Sequence, residues 1–373
     1  MQQPHEYSRR VLLCVIGMTP QLVTETLYKL TQETDPAYIP TEIHLITTGE
    51  GKRSAQNALL GVEGQRGEFY NFCHDYSMPE IDFRADNIHV ISGPDGLFID
   101  DAQYSKQNTI TANYITETVR QFTEDNDCSI HLSLAGGRKT MSYYGGYALS
   151  LFGRLQDRLS HVLVAKPFQE NEKFFYPPPK AKRLAVKNVH YSTDEANIIL
   201  SDIAFVRLRK LVPDPLLKEG KAGFQETVEA IQRFAQPETI EINVGKKKVL
   251  LNGMKVEMDD ANLAVYLWMC ERVINNESPF IPDEDAFVED YISVYARVIG
   301  AWNGRIDRVE KVSLNRTATQ QKDWFLSRKS KLKNAISSVL GNRAAQPFLI
   351  QTVDYSGHVA YRIKMNPETI TIQ

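Results

Sequence analysis

The sequence predicts a doubly wound α/β domain with a mainly parallel sheet, followed by a smaller α+β domain. Three observations carry this expectation. At 373 residues the chain exceeds what one hydrophobic core usually serves. Through residues 11–165, short apolar runs alternate with longer stretches of helical periodicity, the pattern of a parallel sheet covered on both faces. After residue 215 the rhythm changes to paired short strands, several helices and a terminal hairpin.

The elements follow in order. Residues 11–16 read as a buried strand, and 21–30 as a helix that places Val23, Leu27 and Leu30 on one face, with Pro20 near its start. Residues 43–47 form the next strand, and 54–76 are mostly helical with a break at 61–67. A third strand at 88–91 precedes the Gly93-Pro94-Asp95-Gly96 turn, and a long helix covers 101–124. A strand runs into Leu134, a helix follows Lys139, and another strand starts at His161 and ends at 165. Phe174-Phe175-Tyr176-Pro177-Pro178-Pro179 is extended, because three prolines cannot continue a helix. A helix over 193–210 then closes the unit. Pro213, Pro215, Gly220 and Gly223 place a boundary near residue 215, giving domains 1–215 and 216–373.

In the second domain, strands are expected at 240–244 and 248–251 around an Asn252-Gly253 turn, then a helix over 259–273 capped by Asp259. Helices at 285–299 and 322–340 precede a hairpin over 347–365 that turns at Tyr355-Ser356-Gly357. Helices followed by a terminal hairpin suggest a winged helix.

Composition excludes little and directs attention to local features. A net charge of -3, with 42% hydrophobic and 24% charged residues, is that of an ordinary soluble protein and asks for no nucleic-acid partner. Cys14, Cys73, Cys128 and Cys270 form no CxxC pair, which fits a reducing cytoplasm better than a disulfide framework or a zinc site. Arg9-Arg10 before an apolar run has the outline of an export signal, but the run ends at Gly17 and Pro20 with no small-residue cleavage site. No stretch approaches the roughly 20 apolar residues of a membrane span.

The chemistry gathers at Ala135-Gly136-Gly137-Arg138-Lys139-Thr140, between a strand and a helix. Free backbone N–H groups and the positive end of the helix dipole favour an anion there. Arg138 can clamp a phosphate through two parallel hydrogen bonds, and Lys139 offers a compact charge. A bare Gly-Gly-Arg-Lys is equally a tight turn with solvated charges, and position decides between them. In a parallel sheet the loops at 17–21, at Thr47-Thr48-Gly49 and at 136–140 all lie beyond the carboxyl ends of strands, where ligands bind. A P-loop is absent, since neither this segment nor Gly49-Glu50-Gly51-Lys52-Arg53-Ser54 has the leading glycine at the required spacing. No GxGxxG follows the first strand. His44, His89 and His131 read as core or edge histidines rather than metal ligands. His161 follows Arg154 near the spacing of a HEPN ribonuclease motif, and its place at a strand start makes that a coincidence.

Gly17-Met18-Thr19-Pro20-Gln21-Leu22-Val23-Thr24-Glu25-Thr26-Leu27, Leu134-Ala135-Gly136-Gly137-Arg138-Lys139-Thr140-Met141 and Phe174-Phe175-Tyr176-Pro177 together resemble the CRISPR-associated Rossmann-fold (CARF) proteins of the NE-type ring-nuclease family. The resemblance spans residues 9–210 and implies a Rossmann-like homodimer whose paired sheets cradle a cyclic oligoadenylate, usually the tetramer, made in type III CRISPR defence. It implies a ring nuclease that cuts the messenger and ends the antiviral signal. The ligand carries its own nucleophile, the ribose 2′-hydroxyl, so a protein need only align it and stabilise charge, without metal or cofactor. By carry-over, Gly17, Thr19, Pro20, Gln21, Thr48, Gly136, Gly137, Arg138, Lys139 and Thr140 contact the ligand. Lys139 is the expected catalytic cation, and Thr19 the hydroxyl that orients the ribose or phosphate, where some relatives have serine. A further lysine acts in some relatives, and Lys166 and Lys173 are its candidates.

Val249-Leu250-Leu251-Asn252-Gly253-Met254-Lys255-Val256 and the helix after it resemble the opening of response-regulator winged helices. Between residues 322 and 343 six cations face one anion, a net of +5, so Arg328, Lys329 and Lys331 are candidate DNA contacts. The competing reading of that helix is a solvated face whose other side, Leu332, Ile336 and Leu340, is core. The chain is thus expected to degrade the messenger, the alternative being a transcription regulator that senses it and binds DNA. DNA binding is the less favoured role.

Overall fold

A computed structural model describes residues 2–99, 105–134, 136–186, 189–212, 216–217, 222–235, 237–282, 286–300, 304–314 and 317–373. The chain divides into two compact units, Met1–Arg209 with Gly220–Glu226, and Lys210–Glu219 with Thr227–Gln373. The expected boundary at residue 215 and the expected helix start at 101 fall outside the described residues.

The first unit opens with β1 (Arg9–Val15), α1 (Gln21–Tyr28), β2 (Glu42–Thr47) and α2 (Gly49–Ala55). A small hairpin, β3 (Gly61–Val62) and β4 (Gln65–Arg66), breaks the helical stretch where glycines predicted it, and α3 (Glu68–Asp75) resumes it. Then come β5 (Ile88–Val90), α4 (Ser105–Glu124), β6 (Cys128–Ser133), α5 (Lys139–Phe152) and β7 (Arg158–Val164). β8 (Arg183–Val186) pairs with β9 (Val189–Ser192) in a separate hairpin, and β10 (Ile198–Asp202) ends the main sheet.

That sheet has the order β10-β7-β6-β1-β2-β5, parallel throughout except at β10. Alternation along β1 explains the two layers. Leu12, Cys14 and Ile16 pack with Val23 and Leu27 of α1 and Phe72 of α3, whereas Val11, Leu13 and Val15 pack with Val119 of α4 and Leu149 of α5. All six residues, Ile16 lying just past the strand, are fully buried, and each Val, Leu or Ile among them contributes about 1.5–3 kcal/mol by leaving water.

Two expectations are corrected. Residues 193–210 are not a helix: a 3-10 turn at Thr193–Glu195 leads into β10, which runs antiparallel to β7 with Ile198 opposite Val164. The open edge of β7 supplies a full ladder of hydrogen bonds, and Ile198-Ile199-Leu200 suits a strand better than a helix. Likewise β7 begins at Arg158, not at His161.

The helix α6 (Phe224–Ala235), where the sequence predicts no element, belongs to the second unit from Thr227 onward. A sheet of order β13-β12-β11-β16 follows, built from β11 (Ile240–Asn243), β12 (Lys248–Leu251), β13 (Met254–Val256) and β16 (Ile370–Ile372). Between its strands lie α7 (Asp260–Ile274), α8 (Ala286–Ile299), α9 (Arg305–Leu314), α10 (Ala318–Leu340) and the hairpin β14 (Ile350–Tyr355) with β15 (His358–Ile363). Asp259 caps α7 as expected, accepting from the Asn262 N–H at 2.7 Å.

Candidate functional site

Strand order fixes where a ligand can sit. From β1 the chain builds outward to β2 and β5, then returns to lay β6 and β7 on the other side. The direction of winding therefore reverses between β1 and β6, and the crevice beyond their carboxyl ends is the usual binding place of an open α/β sheet. Cys14 pairs with Ser133, so the two strands finish level and deliver their loops together.

Those loops touch backbone to backbone. A Cβ placed on Gly17 would lie 2.6 Å from the Gly137 Cα and 3.0 Å from its nitrogen, so both positions need glycine. Gly137 also has φ +86°, a conformation L side chains avoid. The third loop joins them, since a Cβ on Gly51 of α2 would fall 2.8 Å from the Gly17 carbonyl oxygen. The three predicted loops thus converge on one edge.

Within this cluster each predicted residue has a defined place. Arg138 occupies the cap position of α5, Lys139 is its first residue, and Arg138, Lys139 and Thr140 are exposed. The Ser142 hydroxyl donates to the Gly136 carbonyl at 3.3 Å and closes the loop over the helix start. Ala135 lies outside the described residues. Thr48 caps α2, its hydroxyl accepting from the Gly51 N–H at 3.3 Å. Thr19 is exposed, and Pro20 is buried at the start of α1.

Beside α1 opens a cavity of about 900 Å³, bounded by α1, β7 and residues 168–175. The Thr24 hydroxyl donates to the Phe175 carbonyl at 2.7 Å and the Gln21 amide Nε2 donates to the Glu172 carbonyl at 2.9 Å, so the Phe-Phe-Tyr-Pro segment is tied to the first motif. Thr19, Pro20 and Gln21 line this cavity, but among the described residues the 136–140 loop does not. The predicted set is therefore split between a cationic rim at the start of α5 and a cavity along α1, joined at the Gly17 contact. Lys166 is exposed and pairs with Glu170 at 3.2 Å, and Lys173 is also exposed; neither lines the cavity.

Sequence reasoning assigned no role to Glu25 and none to His161 beyond its place in a strand, and both line the cavity. Glu25 is 2% exposed with its Oε2 enclosed and unpaired, and burial pushes its carboxyl up to about 8. The signal was present in Thr24-Glu25-Thr26, three polar residues in a row that the helix buries completely. His161 holds the Leu134 carbonyl through Nδ1 at 2.7 Å, which links β7 to the loop after β6. Arg154, its supposed ribonuclease partner, is buried in an ion pair with Asp157 at 2.9 Å.

The other histidines sit in protein contacts. His44 bridges His89 at 2.9 Å and Glu42 at 2.7 Å, and His131 meets the Ser160 hydroxyl at 2.7 Å. Among the described residues no group of three His, Cys, Asp or Glu side chains is placed to share a metal ion. Nor is any described helix long and apolar enough to cross a membrane.

The class is thereby defined: an open, doubly wound α/β protein with a glycine-rich loop contact at the switch point of its sheet. The chain belongs to the CRISPR-associated protein NE0113 family, whose sequence model matches residues 19–237, more than half of its length. The match takes in the Thr19-Pro20-Gln21 turn, the 136–140 loop and the Phe-Phe-Tyr-Pro segment together. No curated protein matches the chain. Its function is accordingly CRISPR-associated.

Proposed function

We propose that this protein is a CARF ring nuclease of type III CRISPR defence, which binds a cyclic oligoadenylate, the tetramer being preferred, and cleaves it to end antiviral signalling. The contact of Gly17 with Gly137 carries the proposal, because it joins the Thr-Pro-Gln turn and the Arg138-Lys139 rim at the switch point of the sheet. One chain offers few cations for a ring of phosphates, and a homodimer with the ligand on its twofold axis doubles them.

The reaction needs no added reactant. The ribose 2′-oxygen bonds to the adjacent phosphorus, the bond to the 5′-oxygen breaks, and the proton from the 2′-hydroxyl ends on that oxygen. The product is linear, with a 2′,3′-cyclic phosphate and a 5′-hydroxyl. Lys139 stabilises the charge that builds on the phosphoryl oxygens, Arg138 and the backbone N–H groups at the start of α5 hold phosphate, and Thr19 orients the reacting ribose.

The second unit is read as a winged-helix-like module on its small mixed sheet, helices and late hairpin. Within it Arg328 faces Asp259 at 3.4 Å and Lys329 donates to the Thr352 hydroxyl at 2.7 Å, while Lys331 is exposed. Two of the three candidate DNA cations are thus engaged by their own unit, which favours the enzyme over the regulator. The test is a Lys139→Ala variant in a single-turnover cleavage assay. A loss of at least a hundredfold in rate with binding retained supports the assignment, and an unchanged rate removes it.

A further inference from the structure

Two residues that line one cavity each carry an enclosed polar atom without a hydrogen-bond partner: Oε2 of Glu25 and Oε1 of Gln21. They stand four residues apart on α1 and so share a face. Enclosing such atoms is unfavourable unless something bonds them. We propose that Glu25 and Gln21 form a base-reading pair that takes the amino and ring-nitrogen edge of an adenine in the cavity beside α1. This rests on the reading of the ligand as an oligoadenylate and names where one of its bases goes.

The chemistry matches atom by atom. A neutral carboxyl offers one O–H donor and one carbonyl acceptor, which fit adenine N1 and one hydrogen of its 6-amino group. Gln21 supplies the selection. Its Nε2 is committed to the Glu172 carbonyl, so its oxygen points the other way and accepts the second amino hydrogen. A 6-oxo purine such as hypoxanthine would set its own oxygen against that oxygen. Phe168, Phe174 and Phe175 line the same cavity and provide apolar surface for a purine ring.

The surroundings keep Glu25 neutral. The titratable groups facing the cavity from packed elements are His161 of β7, and Glu170 and Glu172 of the segment after it, with Lys166 paired to Glu170. From the α2 side come Ser54 and Ala58, which carry no charge. Among the described residues no lysine or arginine lines the cavity to compensate an ionised carboxylate.

Titration of the full-length protein with cyclic tetra-adenylate, adenosine monophosphate and inosine monophosphate at pH 6.5 and 9 tests the proposal. The wild type is expected to favour the adenine over the inosine ligand at least tenfold, and to bind adenine about tenfold more weakly at pH 9, where about a tenth of Glu25 is protonated. Glu25→Ala should weaken adenine binding tenfold or more. Glu25→Gln, whose amide presents the same donor and acceptor, should bind equally at both pH values, and Gln21→Ala should bring the adenine-to-inosine ratio close to one. Equal binding of the two monophosphates by the wild type, or an alkaline fall that persists in Glu25→Gln, overturns the proposal even where the ring binds. Retained preference for adenosine monophosphate without binding of the ring overturns the ring reading and leaves the base pocket standing.

Discussion

Replacing Glu25 with glutamine should stabilise the first unit, by an amount that depends on pH in a defined direction. Burial raises the Glu25 carboxyl to about 8 from an ordinary 4.5, so the folded protein holds a proton that the unfolded chain releases between those values. Stability from this site is full below pH 4.5 and is lost as pH rises toward 8. At pH 7 the loss spans 2.5 pH units, or about 3 kcal/mol at 1.36 kcal/mol per unit. With the side chain 2% exposed, little solvent screening reduces it. Glutamine keeps the shape and removes the charge, so Glu25→Gln should raise the unfolding midpoint of this unit by about 6–12 °C at pH 7 and change it little at pH 4.5. Hydrogen exchange in α1 and β1 reports it cleanly, because all three tryptophans, Trp268, Trp302 and Trp324, belong to the other unit and fluorescence would follow the wrong transition. The same gain at both pH values, or none at either, would refute the burial argument.

Three further outcomes follow from the same geometry. Gly137→Ala forces a side chain into a left-handed backbone position 3.2 Å from the Gly17 nitrogen, and should cost about 1–3 kcal/mol by urea unfolding while abolishing ligand binding. His131 moves oppositely to Glu25: burial, aided by Arg158, lowers it to about 4, so its stability is full above pH 6.5 and lost as pH falls toward 4. Denaturation curves should show about 3 kcal/mol lost over that window in the wild type, and much less in His131→Gln. Thr24→Val breaks the hydrogen bond to the Phe175 carbonyl and should loosen residues 168–175, read as faster amide exchange there and a stability loss of about 1 kcal/mol.

What could be read from the sequence was local. The β1 run, the glycine loop before α5 and the cap at Asp259 are written in neighbouring residues, and so the switch-point edge was found, whereas Thr48 proves to cap a helix that starts earlier than its sequence suggests. The strand β10 could not be found this way. Its existence depends on the open edge of β7, outside its own segment, and the β-branched Ile198-Ile199 only leans toward a strand without that edge. The helix α6 was hidden by the prolines and glycines before it, which read as linker. Glu25 shows the deeper limit. Its carboxyl is unusual only because the fold buries that face of α1, and no spacing reveals a charge that burial has neutralised.

The most direct measurement is product analysis after incubating the purified protein with labelled cyclic tetra-adenylate in the presence of a chelator. Linear fragments ending in a 2′,3′-cyclic phosphate are the predicted result. Tight binding with the ring intact after many hours would contradict the ring-nuclease account and leave a sensor in its place.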